Sequence, residues 1–314
     1  MDKQTEKQVN DKLNIKASIS SIVVAFILFA LKIIVGLFSQ SVAIIASALD
    51  SAFDLLSSVA NFFAIKHAQK PADQMHRYGH GKAEALAGFI QSIIIFLSGL
   101  FLIINSIQRV LFPKEIQFIE SSIIVMIISI ILTFLLTEYQ KYVQKKSKSL
   151  VIAADRLHYL TDILSNLIVL ASLLLNKYLN YVFFDPIAAI LIALYIIFGI
   201  TKIFKQSFDI LMDRDISSKY REDLIKVISK LSPEVIGYHD LRSRSGGDID
   251  FIEFHLEIPK NMTVNDSHIL VEKTMYELLK IHRNLEIIIH TDPAEIDSKN
   301  GKVKLYDREQ PRFY

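Results

Sequence analysis

The stretch SVAIIASALDSAFDLLSSVANFFAI, residues 41–65, is apolar enough to cross a lipid bilayer, yet it contains two aspartates. A membrane-spanning helix needs about 20 consecutive, mostly apolar residues, and an ionisable side chain at its centre costs about 2.5–3.5 kcal/mol. Asp50 and Asp54 are four residues apart, so they lie on one helix face, about 6 Å apart along the axis. A chain tolerates this arrangement where the pair faces a polar cavity or a cation. The two carboxylates therefore predict half of a cation-binding site inside the membrane.

Most of the preceding and following sequence is similarly apolar. The protein has 314 residues, of which 51% are hydrophobic, and its mean hydropathy is +0.34. These values are high for a soluble protein and indicate membrane spans. Residues 1–16 form a polar arm, expected in the cytoplasm, that lacks the basic start and the cleavage site of a secretory signal. We predict a transmembrane domain over residues 17–204 with six helices, at residues 17–39, 41–65, 84–108, 117–138, 156–176 and 186–204.

Basic residues are distributed unevenly between the loops that connect these helices. The loops at residues 66–83 and 139–156 are rich in lysine and arginine, whereas the opposite loops hold only Arg109, Lys114 and Lys177. Positive charge marks the cytoplasmic side of a membrane protein. We therefore expect a multi-pass protein of the cell (inner) membrane with both termini in the cytoplasm.

After residue 204 the apolar runs shorten and charged residues return. The pattern predicts helices at residues 217–231 and 264–282, and strands at residues 235–245, 248–258 and 284–292. This order, helix, two strands, helix and strand, predicts that residues 205–314 form a small α+β domain with both helices on one face of the sheet.

The other half of the cation site is expected on the fifth span, in ADRLHYLTDILSN, residues 154–166. His158 and Asp162 repeat the four-residue spacing of the first pair. Three carboxylates and one imidazole suit tetrahedral Zn²⁺, and these oxygen and nitrogen donors also suit Fe²⁺, Mn²⁺ or Co²⁺. A single charged residue in a span, such as Lys32 or Asp155, can instead be a structural hydrogen-bonding group. Two such pairs on separate helices are harder to explain in that way.

Two further groups of histidines and aspartates lie outside the spans. The loop between the second and third spans offers Asp73, His76 and His80 within eight residues, as metal ligands or as parts of a solvated polar loop. His67 and His282 have no evident partner. The C-terminal domain adds His239, His255, His268, His290 and Asp292. Their spacing alone fits a metal site and separate surface residues equally well.

Five stretches occur in an order that resembles one known family. They are ALDSAFDLLSS at 48–58, PADQMHRYGHGKAEALA at 71–87, LHYLTD at 157–162, HDLR at 239–242 and IIHTDP at 288–293. Together they resemble the cation diffusion facilitator family, in particular its bacterial zinc and ferrous-iron efflux branch. The resemblance implies a homodimer with six transmembrane helices and a ferredoxin-like cytoplasmic domain for metal binding and dimerisation. It also implies exchange of cytoplasmic divalent metal for protons, without an organic cofactor.

The resemblance gives each group of residues a role. The transport site comprises Asp50, Asp54, His158 and Asp162. The junction site, at the boundary between membrane and cytoplasm, comprises Asp73, His76 and His80. The tail site, which binds two regulatory metal ions at the dimer interface, comprises His239, His255, His268, His290 and Asp292. Lys82 and Asp213 match an interlocking ion pair near the membrane surface. The presence of His158 argues against the manganese branch.

The ligand chemistry also predicts how such a protein works. Metal binding requires neutral imidazole and ionised carboxylates, so metal and protons compete for the same groups. A site open to one side at a time would then exchange them. The sequence has no G-x-x-x-x-G-K-[ST] nucleotide motif, no H-E-x-x-H helix and no cysteine, which argues against an ATP-driven pump, a metallohydrolase and a thiolate site. A net charge of +2 gives no indication of nucleic-acid binding. We expect zinc as substrate, with ferrous iron or cadmium as alternatives, and a metal-gated sensor as the alternative function.

Overall fold

The chain divides into two units, residues 1–208 and 209–314. The computed structural model describes residues 3–39, 42–111, 120–179, 184–231, 234–282, 284–296 and 303–305. Lys114, which contributes to the predicted charge asymmetry, lies outside the described residues, as do the side chains of Arg109 and Lys177. The predicted domain boundary follows residue 204, within a helix that continues to Leu211.

Six long helices form the first unit. They are α1 (Lys3–Ser39), α2 (Val42–Ala68), α3 (Lys82–Leu111), α4 (Glu120–Ser147), α5 (Leu150–Leu179) and α6 (Phe184–Leu211). The described part of each predicted span falls within one of them, which confirms the helical transmembrane fold. α1 begins well before its span, because the lysine, glutamine and glutamate residues of the polar arm are good helix formers.

Five of these helices contain a segment that is long and apolar enough to cross a membrane, within the residues that the structure describes. These segments are Gln8–Phe38, Ser47–Ala68, Lys82–Gln108, Ile123–Ser147 and Pro186–Leu211. The remaining helix, α5, is 30 residues long and carries Asp155, Arg156, His158 and Asp162. Large apolar side chains such as Phe38, Phe101 and Phe198 stay exposed, as expected for helix faces that contact lipid.

α5 contributes to two separate apolar clusters. One contains Ala17, Ile65, Val143, Val151 and Ile152, from α1, α2, α4 and α5. The other contains Ile95, Ala153, Ala154, Ile196, Ile200 and Ile203, from α3, α5 and α6. α5 is therefore packed on both sides, and its Asp155 and His158 contact other helices of the same unit.

The second unit is a four-stranded sheet with two helices. In chain order its elements are α7 (Ser217–Leu231), β1 (Gly237–Ser245), β2 (Asp250–Pro259), α8 (Val264–Ile281), β3 (Leu285–Ile296) and β4 (Val303–Leu305). The strands follow the order β1-β2-β3-β4, with β2 and β3 parallel and the other two pairs antiparallel. This arrangement confirms the predicted α+β domain; the short strand β4 was not predicted.

The two faces of this sheet differ in composition. Alternate residues of β2, Ile252, Phe254 and Leu256, are buried in one core with Leu224 of α7 and Leu270 of α8. Side chains alternate between the faces of a strand, so the residues between them lie on the other face. The sheet register aligns three residues of that face in one row across β1, β2 and β3, namely His239, His255 and His290.

Candidate metal centres

The structure brings three of the four predicted transport-site residues together. Asp54 comes from α2, while His158 and Asp162 come from α5. His158 Nε2 lies 2.8 Å from Asp54 Oδ1 and 3.9 Å from Asp162 Oδ2. The three side chains are partly buried, and their ligand atoms lie within 4.8 Å of one another. Two neighbouring helices thus supply an imidazole nitrogen and two carboxylates that surround one point.

Asp50, the fourth predicted residue, is exposed one turn before Asp54 and is not part of this three-residue group. Lys32 of α1 reaches the same region of α2, where its Nζ donates to Ser51 Oγ at 2.7 Å and to Ser47 O at 3.4 Å. Asp50 and the carboxylates of the group all act on this lysine electrostatically. Lys32 therefore offsets part of the negative charge that these carboxylates concentrate here.

Asp155, one turn before His158, has a different environment. It is 3% exposed and accepts hydrogen bonds from Ser21 Oγ at 2.7 Å, Asn61 Nδ2 at 3.2 Å and Gln140 Nε2 at 2.7 Å. These donors lie on α1, α2 and α4. Asp155 is therefore a structural group that connects four helices, which is one of the two roles that the sequence left open for it.

The junction site is a compact loop structure at the end of α2. Asp73 Oδ2 lies 3.3 Å from His80 Nε2, and Asp73 Oδ1 lies 3.6 Å from His76 Nδ1. Gly79 has a φ of 81°, a left-handed conformation that glycine adopts without strain, and it turns the chain so that His80 faces back towards Asp73. His80 is buried, whereas Asp73 and His76 are exposed.

Hydrogen bonds within this loop fix the ionisation of the acid and the orientation of one ring. The backbone N–H of His76, assisted by that of Met75, holds the pKa of Asp73 below its usual value against the opposing effect of burial. His80 Nδ1 lies 3.1 Å from Pro71 O, a contact that orients the ring with Nε2 towards Asp73. The loop thus presents a carboxylate and an imidazole nitrogen to the same point.

In the second unit, one carboxylate lies among the row of three histidines. Asp292 Oδ2 is 2.9 Å from His255 Nδ1 and 3.1 Å from His239 Nε2, and Asp292 Oδ1 is 3.2 Å from His290 Nε2. Burial acts to raise the pKa of Asp292, but the hydrogen bond from His255 and the charges of the neighbouring histidines hold it below its usual value. A carboxylate that uses both oxygens in this way is suited to bridge two cations.

His268, the fifth predicted tail-site residue, is exposed on α8 and is not among the described residues that form this group. Asp213 Oδ2 lies 3.6 Å from Arg244 Nη1 within the second unit. The ion pair between Lys82 and Asp213 would join the two units and stays a prediction.

Glu257, which contacts the tail-site residue His239, was not predicted from the sequence. Glu257 is buried, and its Oε1 accepts a hydrogen bond from His239 Nδ1 at 2.8 Å. The contact orients the ring of His239, whose Nε2 lies 3.1 Å from Asp292 Oδ2. Opposite Glu257 stands Gly237, where a Cβ would lie 2.6 Å from Glu257 Oε2. Glu257 follows His255 by two residues, so strand alternation could have placed it on the histidine face.

Known proteins match the chain over nearly its whole length. The family model of the cation efflux transmembrane domain matches residues 18–212, and that of the cation efflux protein, cytoplasmic domain, matches residues 216–294. The cation-efflux pump FieF of Shewanella oneidensis is 37% identical over 281 residues, covering 90% of this chain and 94% of that protein. Protein p34 of Rickettsia prowazekii is 34% identical over 277 residues, covering 88% and 91%.

A solved structure is similar to about a quarter of the chain. The metal-bound C-terminal domain of the CzcD transporter from Thermotoga maritima is 33% identical, with a TM-score of 0.23, and the match covers 24% of this chain and 87% of that one. The two family models and the full-length relatives confirm the family that the sequence motifs predicted. The chain belongs to the bacterial branch of the cation diffusion facilitator family, and it is a multi-pass cation efflux transporter rather than an enzyme.

Proposed function

We propose that the protein exports Zn²⁺ from the cytoplasm as a homodimer and exchanges each ion for protons at the transport site. The observation that carries this proposal is the 2.8 Å separation of His158 Nε2 and Asp54 Oδ1. A ring nitrogen and a carboxylate oxygen at this distance share one proton in a hydrogen bond. Zn²⁺ needs the lone pairs of the same two atoms, so its arrival releases that proton.

The distances between the ligand atoms support zinc as the substrate. Two ligand atoms of a tetrahedral Zn²⁺ lie about 3.4 Å apart, because each bond is about 2.0–2.1 Å long. The separations from His158 Nε2, 2.8 Å to Asp54 and 3.9 Å to Asp162, lie on either side of this value. Asp50 would supply the fourth ligand. Ferrous iron is the second candidate and cadmium the third, because iron suits the same nitrogen and oxygen donors and donor type alone does not separate divalent metals.

One feature supports the proposed orientation in the membrane, and another supports the proposed homodimer. The basic loops at residues 66–83 and 139–156 favour both termini in the cytoplasm, and in a bacterial cell this places the protein in the inner membrane. The histidine face of the C-terminal sheet also bears Ile288, which is 55% exposed in the single chain. An uncovered apolar side chain beside a metal site supports the proposal that a second copy covers this face.

Zinc accumulation in proteoliposomes with an acidic interior tests the exchange. We expect the purified protein to concentrate Zn²⁺ inside while protons leave, and a protonophore to abolish the uphill step. Parallel measurements with anaerobic Fe²⁺ and with Cd²⁺ rank the three metals. Zinc that only equilibrates down its own gradient would identify a channel and contradict antiport.

We also propose that zinc at the tail site regulates transport, and Glu257→Gln tests this role. The loss of an outer-shell partner of a metal-binding histidine typically weakens metal binding by about 10–100-fold. We therefore expect at least about tenfold weaker zinc binding at the tail site, because His239 loses the charged group that orients it. As zinc binding at the tail site weakens, the zinc concentration for half-maximal transport should rise, while the maximal rate stays unchanged.

Glu253→Gln is the matched control, because Glu253 is an exposed glutamate of β2 on the same sheet face, two residues before His255. It should change neither quantity. Isothermal titration of the full-length protein and the transport assay measure the two effects. An unchanged transport threshold in a variant with a weakened tail site would contradict the regulatory role.

A further inference from the structure

His67, for which the sequence shows no partner, lies next to the junction site. It occupies the last turn of α2, and the chain turns back directly after it, where the backbone N–H of Lys70 donates to His67 O at 3.1 Å. The ring centroids of His67 and His80 are 4.8 Å apart, and the rings are perpendicular at 89°. The centroids of His76 and His80 are 4.6 Å apart. The buried ring of His80 thus has an exposed imidazole within reach on each of two sides.

These ring separations are close to those of histidines that bind one metal ion. With a Zn–N bond of about 2.0–2.1 Å and a tetrahedral angle, the centroids of two imidazoles on one Zn²⁺ lie about 5 Å apart. Both observed separations, 4.8 Å and 4.6 Å, are close to this value. An edge-to-face contact alone would explain one of them. A second close ring contact, tilted at 49°, around a histidine that also lies 3.3 Å from the Asp73 carboxylate fits a shared cation better.

The three candidate ligands of the junction site leave one coordination position of a tetrahedral ion for His67. Asp73, His76 and His80 supply three ligand atoms within 4.8 Å of one another. Closed zinc sites in proteins have four protein ligands, whereas open sites leave the fourth position to water. The side chain of His67 is exposed, so its ring can turn towards the group by a change of rotamer.

We propose that His67 is the fourth ligand of Zn²⁺ at the junction site, which rests on the junction site being part of the proposed function. Three imidazoles and one carboxylate then enclose the ion completely. The site connects the end of α2, the helix that carries Asp54, to the loop before α3. Zinc bound there fixes the end of α2 to that loop and does not pass through as cargo.

X-ray absorption at the zinc edge tests this assignment, because the scattering from imidazole rings counts the histidines around the metal. The full-length protein with Asp54→Asn and Asp292→Asn serves as background, since these changes remove a ligand of the transport site and the central carboxylate of the tail site. We expect three imidazoles per zinc in this background and two after His67→Gln. Zinc affinity should fall at least about tenfold with the same substitution. His282→Gln is the control, because His282 is bonded to Asp223 in the second unit, and it should leave three.

Two other results would overturn the assignment, and they have different meanings. Two imidazoles before and after His67→Gln would show that His67 is not a ligand although the junction site binds zinc. No bound zinc in the background protein would refute the junction site itself. Neither result bears on antiport, which the transport assay with the intact chain tests separately.

Discussion

Asp54→Asn is expected to abolish uphill zinc transport, with a rate at least about 100-fold below that of the unsubstituted protein. Asp54 is the residue of α2 that contacts His158, at 2.8 Å. An asparagine of the same size has no charge and would offer either a weak oxygen donor or an N–H group to the ion. Removal of an outer-shell partner already weakens metal sites by about 10–100-fold, so the loss of a ligand should cost at least the upper end of that range.

The same substitution also weakens the coupling between metal and protons. Asparagine does not take up a proton, so His158 Nε2 loses the charged partner at 2.8 Å with which it competes for the proton and the metal ion. Zinc uptake driven by a pH gradient and proton release upon zinc addition should therefore disappear together. Both are measured in proteoliposomes, with a fluorescent zinc indicator and a pH indicator inside.

Glu138→Gln is the matched control for Asp54→Asn. Glu138 is an exposed carboxylate of α4 that pairs with Lys141 at 3.2 Å, so its loss should leave transport unchanged. The thermal stability of both variants should match that of the parent protein, because Asp54 is only partly buried. Uphill transport at the normal rate by Asp54→Asn would contradict the assignment of the transport site.

The helices and strands were predictable because their signals are local. Most of the transmembrane helices are long apolar runs in the sequence, and the strands of the second unit combine β-branched residues with short turns. β4 was missed because three residues, Val303–Leu305, carry too little pattern to recognise. Its pairing with β3 is a tertiary contact that the segment itself does not encode.

For the functional side chains, the sequence predicted which residues share a face of one helix, but not which residues of other helices they contact. Spacing of four residues shows that His158 and Asp162 share a face of α5, but it does not show which helix that face meets. The contact with Asp54 depends on the packing of α2 against α5. For the same reason His67, alone at the end of its helix, gave no signal until the loop that folds back beside it was visible.

Asp155 and Asp162 demonstrate this limit most clearly, because they are the same residue type on the same helix. Asp155 is 3% exposed and accepts three hydrogen bonds from other helices. Asp162 is partly exposed beside His158. The four-residue spacing from His158 favoured Asp162 as the ligand, but only the packing of the helices shows that Asp155 accepts hydrogen bonds from three of them.

Replacement of these two aspartates by alanine should therefore give opposite results. Asp155→Ala removes an acceptor from three buried donors: Ser21 Oγ keeps its bond to Ala17 O and Gln140 Nε2 its bond to Ser21 Oγ, whereas Asn61 Nδ2 loses its acceptor. An unsatisfied buried donor costs about 1–3 kcal/mol, which is a sizeable part of the roughly 5–15 kcal/mol by which a typical protein is stable. We expect a marked fall in thermal stability in detergent and a low yield of folded protein.

Asp162→Ala should lose uphill zinc transport, because it removes a proposed ligand 3.9 Å from His158 Nε2. It should keep the stability of the parent protein, because among the described contacts no hydrogen bond between helices ends at Asp162. Asp155→Asn, which keeps the shape and one oxygen acceptor, should be intermediate in stability, and its folded fraction should still transport zinc. Thermal unfolding in detergent and transport normalised to folded protein measure both properties for all three variants. If Asp155→Ala unfolded at the parent temperature, or if the folded fraction of Asp155→Asn were inactive, Asp155 would have a functional role in place of the structural one.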